Sequence, residues 1–275
     1  MRYIFGPVPS RRLGRSLGVD LVPFKTCTYD CIYFQLGRTT DKTLERRQWV
    51  PLDDVLAELE QKLTTNPDYI TLSGPGEPTL YSRLDELIIR IRSMTQVPVA
   101  LLTNGSLLWQ EKIRRQLMHA HLVIPSLGAG HGSMFQAVNR PRQSISFKQM
   151  LEGLIAFREE YYGKYWPKVF LLAGHTAVES EAHKIIDCVA RIKPDRVQLN
   201  TATRPTAEDY AVMADRGRML DLAAKFDPAA EVVADYHDVH AESDFEAGRD
   251  KILGMIQRRP CSLEDVADGL GMHRN

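Results

Sequence analysis

The 275-residue chain carries 35 lysines and arginines against 35 aspartates and glutamates, so no net field draws the whole molecule to nucleic acid. A hydrophobic fraction of 44% suffices for a sizeable core, and four irregularly spaced cysteines exclude a secreted disulfide framework and suit a reducing cytoplasm. No apolar run approaches the roughly 18 residues of a membrane span, and no signal-peptide core is read at the start, so a cytoplasmic protein without a membrane partner is expected.

Residues 1–50 are locally basic, with Arg11, Arg12 and Arg15 among the charges, an excess that suits either an anionic partner or solvated loops. A strand is predicted near 19–22, followed by the loop Cys27-Thr28-Tyr29-Asp30-Cys31-Ile32-Tyr33-Phe34-Gln35. Further strands are predicted near 69–72, 98–103, 122–126, 168–173 and 196–200. They alternate with amphipathic stretches near 53–65, 82–93, 109–118, 147–161 and 180–192. Pro51 precedes the first of these helices, and Asp53 and Asp54 suit its N-terminal dipole. Leu52, Val55, Leu56, Leu59 and Leu63 then recur on one face. Runs such as Val169-Phe170-Leu171-Leu172 are wholly apolar, as strands covered on both sides should be. Six such units predict an α/β fold, a partial (βα)6 TIM-like barrel over residues 1–205.

The segment 206–243 is acidic and is read as a connection. Beyond it, 244–275 has the pattern of a truncated helix-turn-helix: Phe245, Ile252 and Ile256 share a helix face, Ser262 and Asp265 form a capping arrangement, and Gly269-Leu270-Gly271 makes a turn. The sequence stops at Asn275, where a recognition helix would begin. That stop and the acidic connection argue against DNA binding.

In a parallel barrel, chemistry gathers at the C-terminal ends of the strands. The informative residues there are Gly74, Gly76 and Glu77 after the second strand, Thr103 and Asn104 after the third, Ser126 at the fourth and Asn200 at the sixth. Glycines permit close backbone approach to a ligand, and the polar groups offer hydrogen bonds, although each alone also reads as a turn residue or cap. Cys27 and Cys31, with three residues between them, read by themselves first as ordinary buried thiols and only secondarily as metal ligands. His119 with His121, and His237 with His240, lack the further partners that a metal site requires and read as surface residues.

Cys27 to Phe34 resembles the radical S-adenosylmethionine motif, CxxxCxxC, at every position except the last. Phe5-Gly6-Pro7-Val8-Pro9-Ser10-Arg11-Arg12-Leu13-Gly14, Gln35-Leu36-Gly37, Ser73-Gly74-Pro75-Gly76-Glu77-Pro78-Thr79 and Val197-Gln198-Leu199-Asn200-Thr201 resemble segments of the wybutosine-synthesis-like iron–sulfur oxidoreductases in that superfamily. The resemblance implies a four-iron, four-sulfur (4Fe-4S) cluster held by three cysteine thiolates. Its open iron would chelate S-adenosylmethionine, and an electron from a reducing donor would cleave the cofactor to a 5′-deoxyadenosyl radical. It assigns Cys27 and Cys31 to the cluster and Tyr33 to the adenine. It assigns Gly74, Gly76 and Glu77 to the cofactor's amino group, and Thr103, Asn104, Ser126 and Asn200 to its ribose and methionyl parts. The substrate would be an unknown small molecule or an RNA-related one.

Two positions depart from that pattern. Phe34 stands where the third cysteine belongs, and a phenyl ring has no lone pair for iron. Gly128 stands where the group carries aspartate. Cys188, mid-helix, and Cys261, in the tail, are poor substitutes for the missing ligand. The sequence therefore leaves three functions open: radical cleavage of S-adenosylmethionine, a catalytically impaired binding protein on the same scaffold, and a ligand-sensing helix-turn-helix regulator.

Overall fold

The computed structural model describes residues 3–10 and 12–234. The truncated helix-turn-helix expected over 244–275, with Cys261, His237 and His240, lies outside the described residues. The chain opens with a hairpin, β1 (Ile4–Ser10) and β2 (Gly14–Asp20), the one antiparallel pair in the main sheet among the described residues. The sequence reading missed β1, whose two prolines disguise it, and placed the strand at 19–22. The pairing of Ser16 to Asp20 with Tyr69 to Ser73 shows that β2 ends where that reading had it begin. Gly18 is needed here, because a Cβ on it would lie 1.9 Å from the Phe5 ring packed across the hairpin.

Two short strands follow, β3 (Thr26–Cys27) and β4 (Asp41–Lys42), which pair with each other and tie off the cysteine loop. Helices and strands then alternate: α1 (Leu52–Leu63), β5 (Tyr69–Ser73), α2 (Leu84–Met94), β6 (Val99–Thr103), α3 (Glu111–Leu117) and β7 (Leu122–Leu127). After β7 come two helices in succession, α4 (Gly132–Asn139) and α5 (Phe147–Glu160). The remainder is β8 (Lys164–Tyr165), β9 (Lys168–Phe170), α6 (Glu179–Ile192), β10 (Gln198–Asn200), α7 (Arg216–Ala223) and β11 (Glu231–Val232). The main sheet runs β1-β2-β5-β6-β7-β9-β10-β11, with β8 beside β7, and is parallel from β2 onward. This is the α/β, partial-barrel architecture that the sequence pattern predicts.

The helices cover the sheet as their periodicity requires. In α1, Leu52, Val55, Leu56 and Leu59 are buried against the sheet, each contributing about 1.5–3 kcal/mol relative to exposure. Leu63, on the same face, is partly buried where the helix frays. The sheet continues past residue 205. Residues 206–234, read from sequence as a connection, supply α7 and the edge strand β11, which pairs with β10. Acidic composition hid them because their apolar residues are few: Met219, Leu222 and Phe226 are the buried ones among long side chains. Among the described residues, no helix is long and apolar enough to cross a membrane.

Candidate functional site

A cavity of about 790 Å³ opens within the barrel, and all ten residues singled out from the sequence line it: Cys27, Cys31, Tyr33, Gly74, Gly76, Glu77, Thr103, Asn104, Ser126 and Asn200. That size suits a nucleoside-containing cofactor. Phe34 lines the same cavity.

The cysteine loop is held from both sides. Tyr29 and Ile32 sink into the core, while Asp30 N and Ile32 N donate to the carbonyls of Asn139 and Val138 at 3.1 and 3.0 Å. Thr28 Oγ1 and Ser106 Oγ share a hydrogen bond of 2.8 Å. Phe34 N donates to Cys31 O and Gly37 N to Phe34 O, two successive turns that fix the backbone at Phe34. Asp30 accepts from Arg38 Nε at 2.8 Å and Thr39 N at 2.9 Å. Arg140 Nη1 meets Glu208 at 2.5 Å, and Arg38 meets it at 3.1 Å, so the loop is also tied to the residues after β10.

Each cysteine sulfur accepts a hydrogen bond from a side-chain amide. Asn104 Nδ2 donates to Cys27 Sγ and Asn139 Nδ2 to Cys31 Sγ, both at 3.4 Å. Such donors stabilise a thiolate and are how a protein tunes an iron–sulfur centre. Burial, with the negative charges of Glu77 and Cys31 added, nevertheless pushes the Cys27 thiol up to about 12, and burial pushes up Cys31 as well. Both shifts favour the protonated thiol, and a metal would have to displace that proton.

Glu77 behaves differently from the contact residue expected. It is buried, and its carboxylate accepts from Thr79 N at 3.0 Å, Thr79 Oγ1 at 2.6 Å, Thr103 Oγ1 at 2.6 Å and Asn104 N at 2.7 Å. It clamps the glycine-rich turn to the end of β6 and so orients Asn104 toward Cys27. The glycines serve the same closeness. Gly74 has φ of +126°, and a Cβ on Gly76 would lie 2.1 Å from Thr26 O in the cysteine loop.

Tyr33 stacks on Phe170, with ring centroids 4.0 Å apart and planes 13° from parallel, so one ring face is already taken. Its hydroxyl accepts from Asn139 Nδ2 at 2.9 Å. A Cβ on Gly128 would come within 3.1 Å of both that hydroxyl and Asn139 Oδ1. Asn139 and Tyr33 therefore occupy the space next to the position where an aspartate was expected. The sequence reading missed Asn139 because it missed α4, although Met134, Phe135 and Val138 carry a short helical spacing before it. It also missed Arg12 and Lys168, which line the cavity. Lys168 had a signal, a charge opening an otherwise apolar strand.

Outside the cavity, Cys188 is buried in α6, with its sulfur directed to Gly130 O at 3.7 Å. His121 Nδ1 accepts from Val99 N at 3.0 Å, and burial lowers its pKa. No group of three or more His, Cys, Asp or Glu side chains suited to a metal ion exists among the described residues. The cavity's size and converging polar groups fit S-adenosylmethionine. The donor set does not fit a three-thiolate cluster, since it offers two thiols and a phenyl ring.

Residues 21–189 match a family described as the Radical SAM superfamily. A UPF0026 protein of Helicobacter pylori is 34% identical over 269 residues, which cover 96% of this chain and 86% of that protein. A protein of Brachyspira hyodysenteriae called GTPase Obg is 40% identical over 274 residues, 97% of this chain, yet the chain spans only 40% of that protein's length. A solved structure of TYW1 with a lysine-pyruvate adduct bound has the same fold, with a TM-score of 0.57 at 16% identity, covering 78% of this chain and 74% of that one.

Proposed function

Because the chain belongs to the radical SAM superfamily, we propose that its cavity binds S-adenosylmethionine on a scaffold whose cluster position is one thiolate short. When complete, a 4Fe-4S cluster in such a site supplies the electron that cleaves the cofactor to a 5′-deoxyadenosyl radical. In this chain, Cys27 and Cys31 would be the surviving ligands, oriented by Asn104 and Asn139, and Phe34 puts a ring at the third. The observation that carries the reading is that two amide-bonded thiols and the phenyl ring of Phe34 line one cavity.

The chain's own residues then position rather than react. Glu77 holds the glycine-rich turn against β6, leaving the cavity wall at Gly74 and Gly76 without side chains. Thr103, Asn104, Ser126 and Asn200 supply hydrogen-bonding groups, and Tyr33, braced by Phe170, gives an apolar surface for the adenine.

A second reading is reductive cleavage with the third iron ligated from outside the chain, by water or a small thiol, using a reducing donor and acting on an RNA- or nucleotide-related substrate. The paired amide donors on Cys27 and Cys31 favour it. Anaerobic reconstitution with iron and sulfide, followed by assay of S-adenosylmethionine cleavage in the parent and in Phe34→Cys, separates the two. The first reading expects saturable cofactor binding in both and cleavage only in Phe34→Cys. Equal cleavage in both establishes the second, and absence of cofactor binding from both refutes each.

A further inference from the structure

Three cations line the cavity, Arg12, Lys168 and Arg204; Arg204 donates to Gln35 Oε1 at 3.0 Å, and the cofactor reading uses neither of the other two. Arg12 sits in the turn between β1 and β2, and Lys168 opens β9, in register with Ser126 of β7 and Gln198 of β10. Both line the cavity. Arg12 Nη1 is out of contact with solvent and has no hydrogen-bond partner. Neither side chain forms an ion pair among the described residues. The nearby carboxylate of Glu77 is committed to Thr79, Thr103 and Asn104.

The arrangement is costly as it stands. Burial lowers the Arg12 guanidinium to about 10. Burial, then repulsion from Arg12, brings Lys168 down to about 8 against the weaker pull of Cys31 and Glu77. Two buried like charges repel strongly in a protein interior even with the Asp20 and Glu77 carboxylates lining the same cavity, and an anion bound between them would relieve that repulsion. Arg12 offers a planar fork of donors and Lys168 a point charge, a combination suited to carboxylate or phosphate oxygens.

We propose that Arg12 and Lys168 form an anion subsite in the cavity that receives a carboxylate or phosphate group of the substrate. The inference rests on reading the cavity as the place where cofactor and substrate meet, and it restricts the substrate to acidic molecules. Arg12 comes from the hairpin and Lys168 from β9, so the two cations reach one cavity from segments remote in sequence.

The test is calorimetric titration of the anaerobic chain with inorganic phosphate, with acetate, and with acetamide as the uncharged control. The parent, Arg12→Gln, Lys168→Met and Lys168→Arg are compared, and S-adenosylmethionine is titrated separately into each. The expected result is saturable binding of phosphate or acetate but not acetamide, and which anion binds identifies the group. Binding weakens tenfold or more in Arg12→Gln and Lys168→Met, stays within about threefold in Lys168→Arg, and cofactor affinity changes less than twofold. The ligand-free Lys168→Met chain should unfold at the same or a higher temperature, because an uncompensated charge has gone. No saturable binding of either anion to the parent overturns the proposal, as does a Lys168→Met chain several degrees less stable, which reveals an internal partner. A loss of cofactor affinity equal to the loss of anion affinity overturns it too, because the pair would then hold the cofactor's own carboxylate. If the parent binds an anion but no cofactor, the subsite stands and the cofactor reading falls.

Discussion

Asn104 donates its side-chain amide to Cys27 Sγ across 3.4 Å, from the end of one strand to the loop after another. The bond exists because Glu77, out of sight of solvent, accepts from Asn104 N and Thr103 Oγ1 and so fixes the turn that carries Asn104. A chain of three residues from three segments therefore sets the environment of one thiol.

Glu77→Gln keeps the shape of that residue but turns two acceptors into one acceptor and a donor. At least one of the four donors now facing Glu77 would meet an N–H group, at a cost of about 1–3 kcal/mol. The denaturation midpoint should fall accordingly, with an unchanged slope. An undiminished midpoint would mean that the buried carboxylate is not the clamp described.

Gly76→Ala should be worse tolerated than an ordinary glycine replacement. Its Cβ would lie 2.1 Å from a backbone oxygen, Thr26 O, which no rotamer change can relieve. The cysteine loop must move, and a destabilisation of about 1–3 kcal/mol is expected, with weaker S-adenosylmethionine binding by calorimetry. Parent-like affinity in a folded variant would show that the two loops need not approach so closely.

Thiol reactivity should be suppressed in the native chain. With Cys27 pushed up to about 12 by burial and by neighbouring negative charge, its thiolate fraction near pH 8 is far below that of a free cysteine. Iodoacetamide should modify Cys27 and Cys31 in the native chain at pH 8 at least tenfold more slowly than in the urea-unfolded chain, read by mass spectrometry of the peptide containing both. Comparable rates would contradict the buried environment.

Asp30 supplies an acid-sensitive tie. Burial raises its carboxyl, but hydrogen bonds from Arg38 and Thr39 N, with the charges of Arg38 and Arg140, hold it below the ordinary range on balance. A pKa depressed in the folded state contributes stability that is present above the unfolded value of about 4 and is lost as pH falls through the folded one. Thermal unfolding of Asp30→Asn should lie below the parent at pH 7 and converge with it toward pH 3. Parallel curves would remove Asp30 from the account.

Much of the site was legible in the sequence because barrel chemistry follows strand order. Once Tyr69–Ser73 and Val99–Thr103 read as strands, the loop residues after them had to lie at the same end of the sheet. What the sequence obscured was role. Glu77 carries the same letter whether it contacts a ligand or braces a turn, and only its buried position with four donors around it decides for the brace. Asn139 was out of reach because α4 is eight residues long and its apolar spacing too short to stand out. Arg12 and Lys168 are far apart in the chain, and nothing local to either announces the other.

The sequence by itself determined the alternation of strands and helices, the parallel barrel that follows from it, and the absence of a third thiol at Phe34, since each depends on residue type and spacing along one stretch. The tertiary structure alone decided that Asn104 and Asn139 serve the two cysteines, that Tyr33 spends one face on Phe170, and that Arg12 and Lys168 line one cavity with no ion pair to either among the described residues. Those relations are set by pairwise distance and burial, quantities that exist only once remote segments have packed.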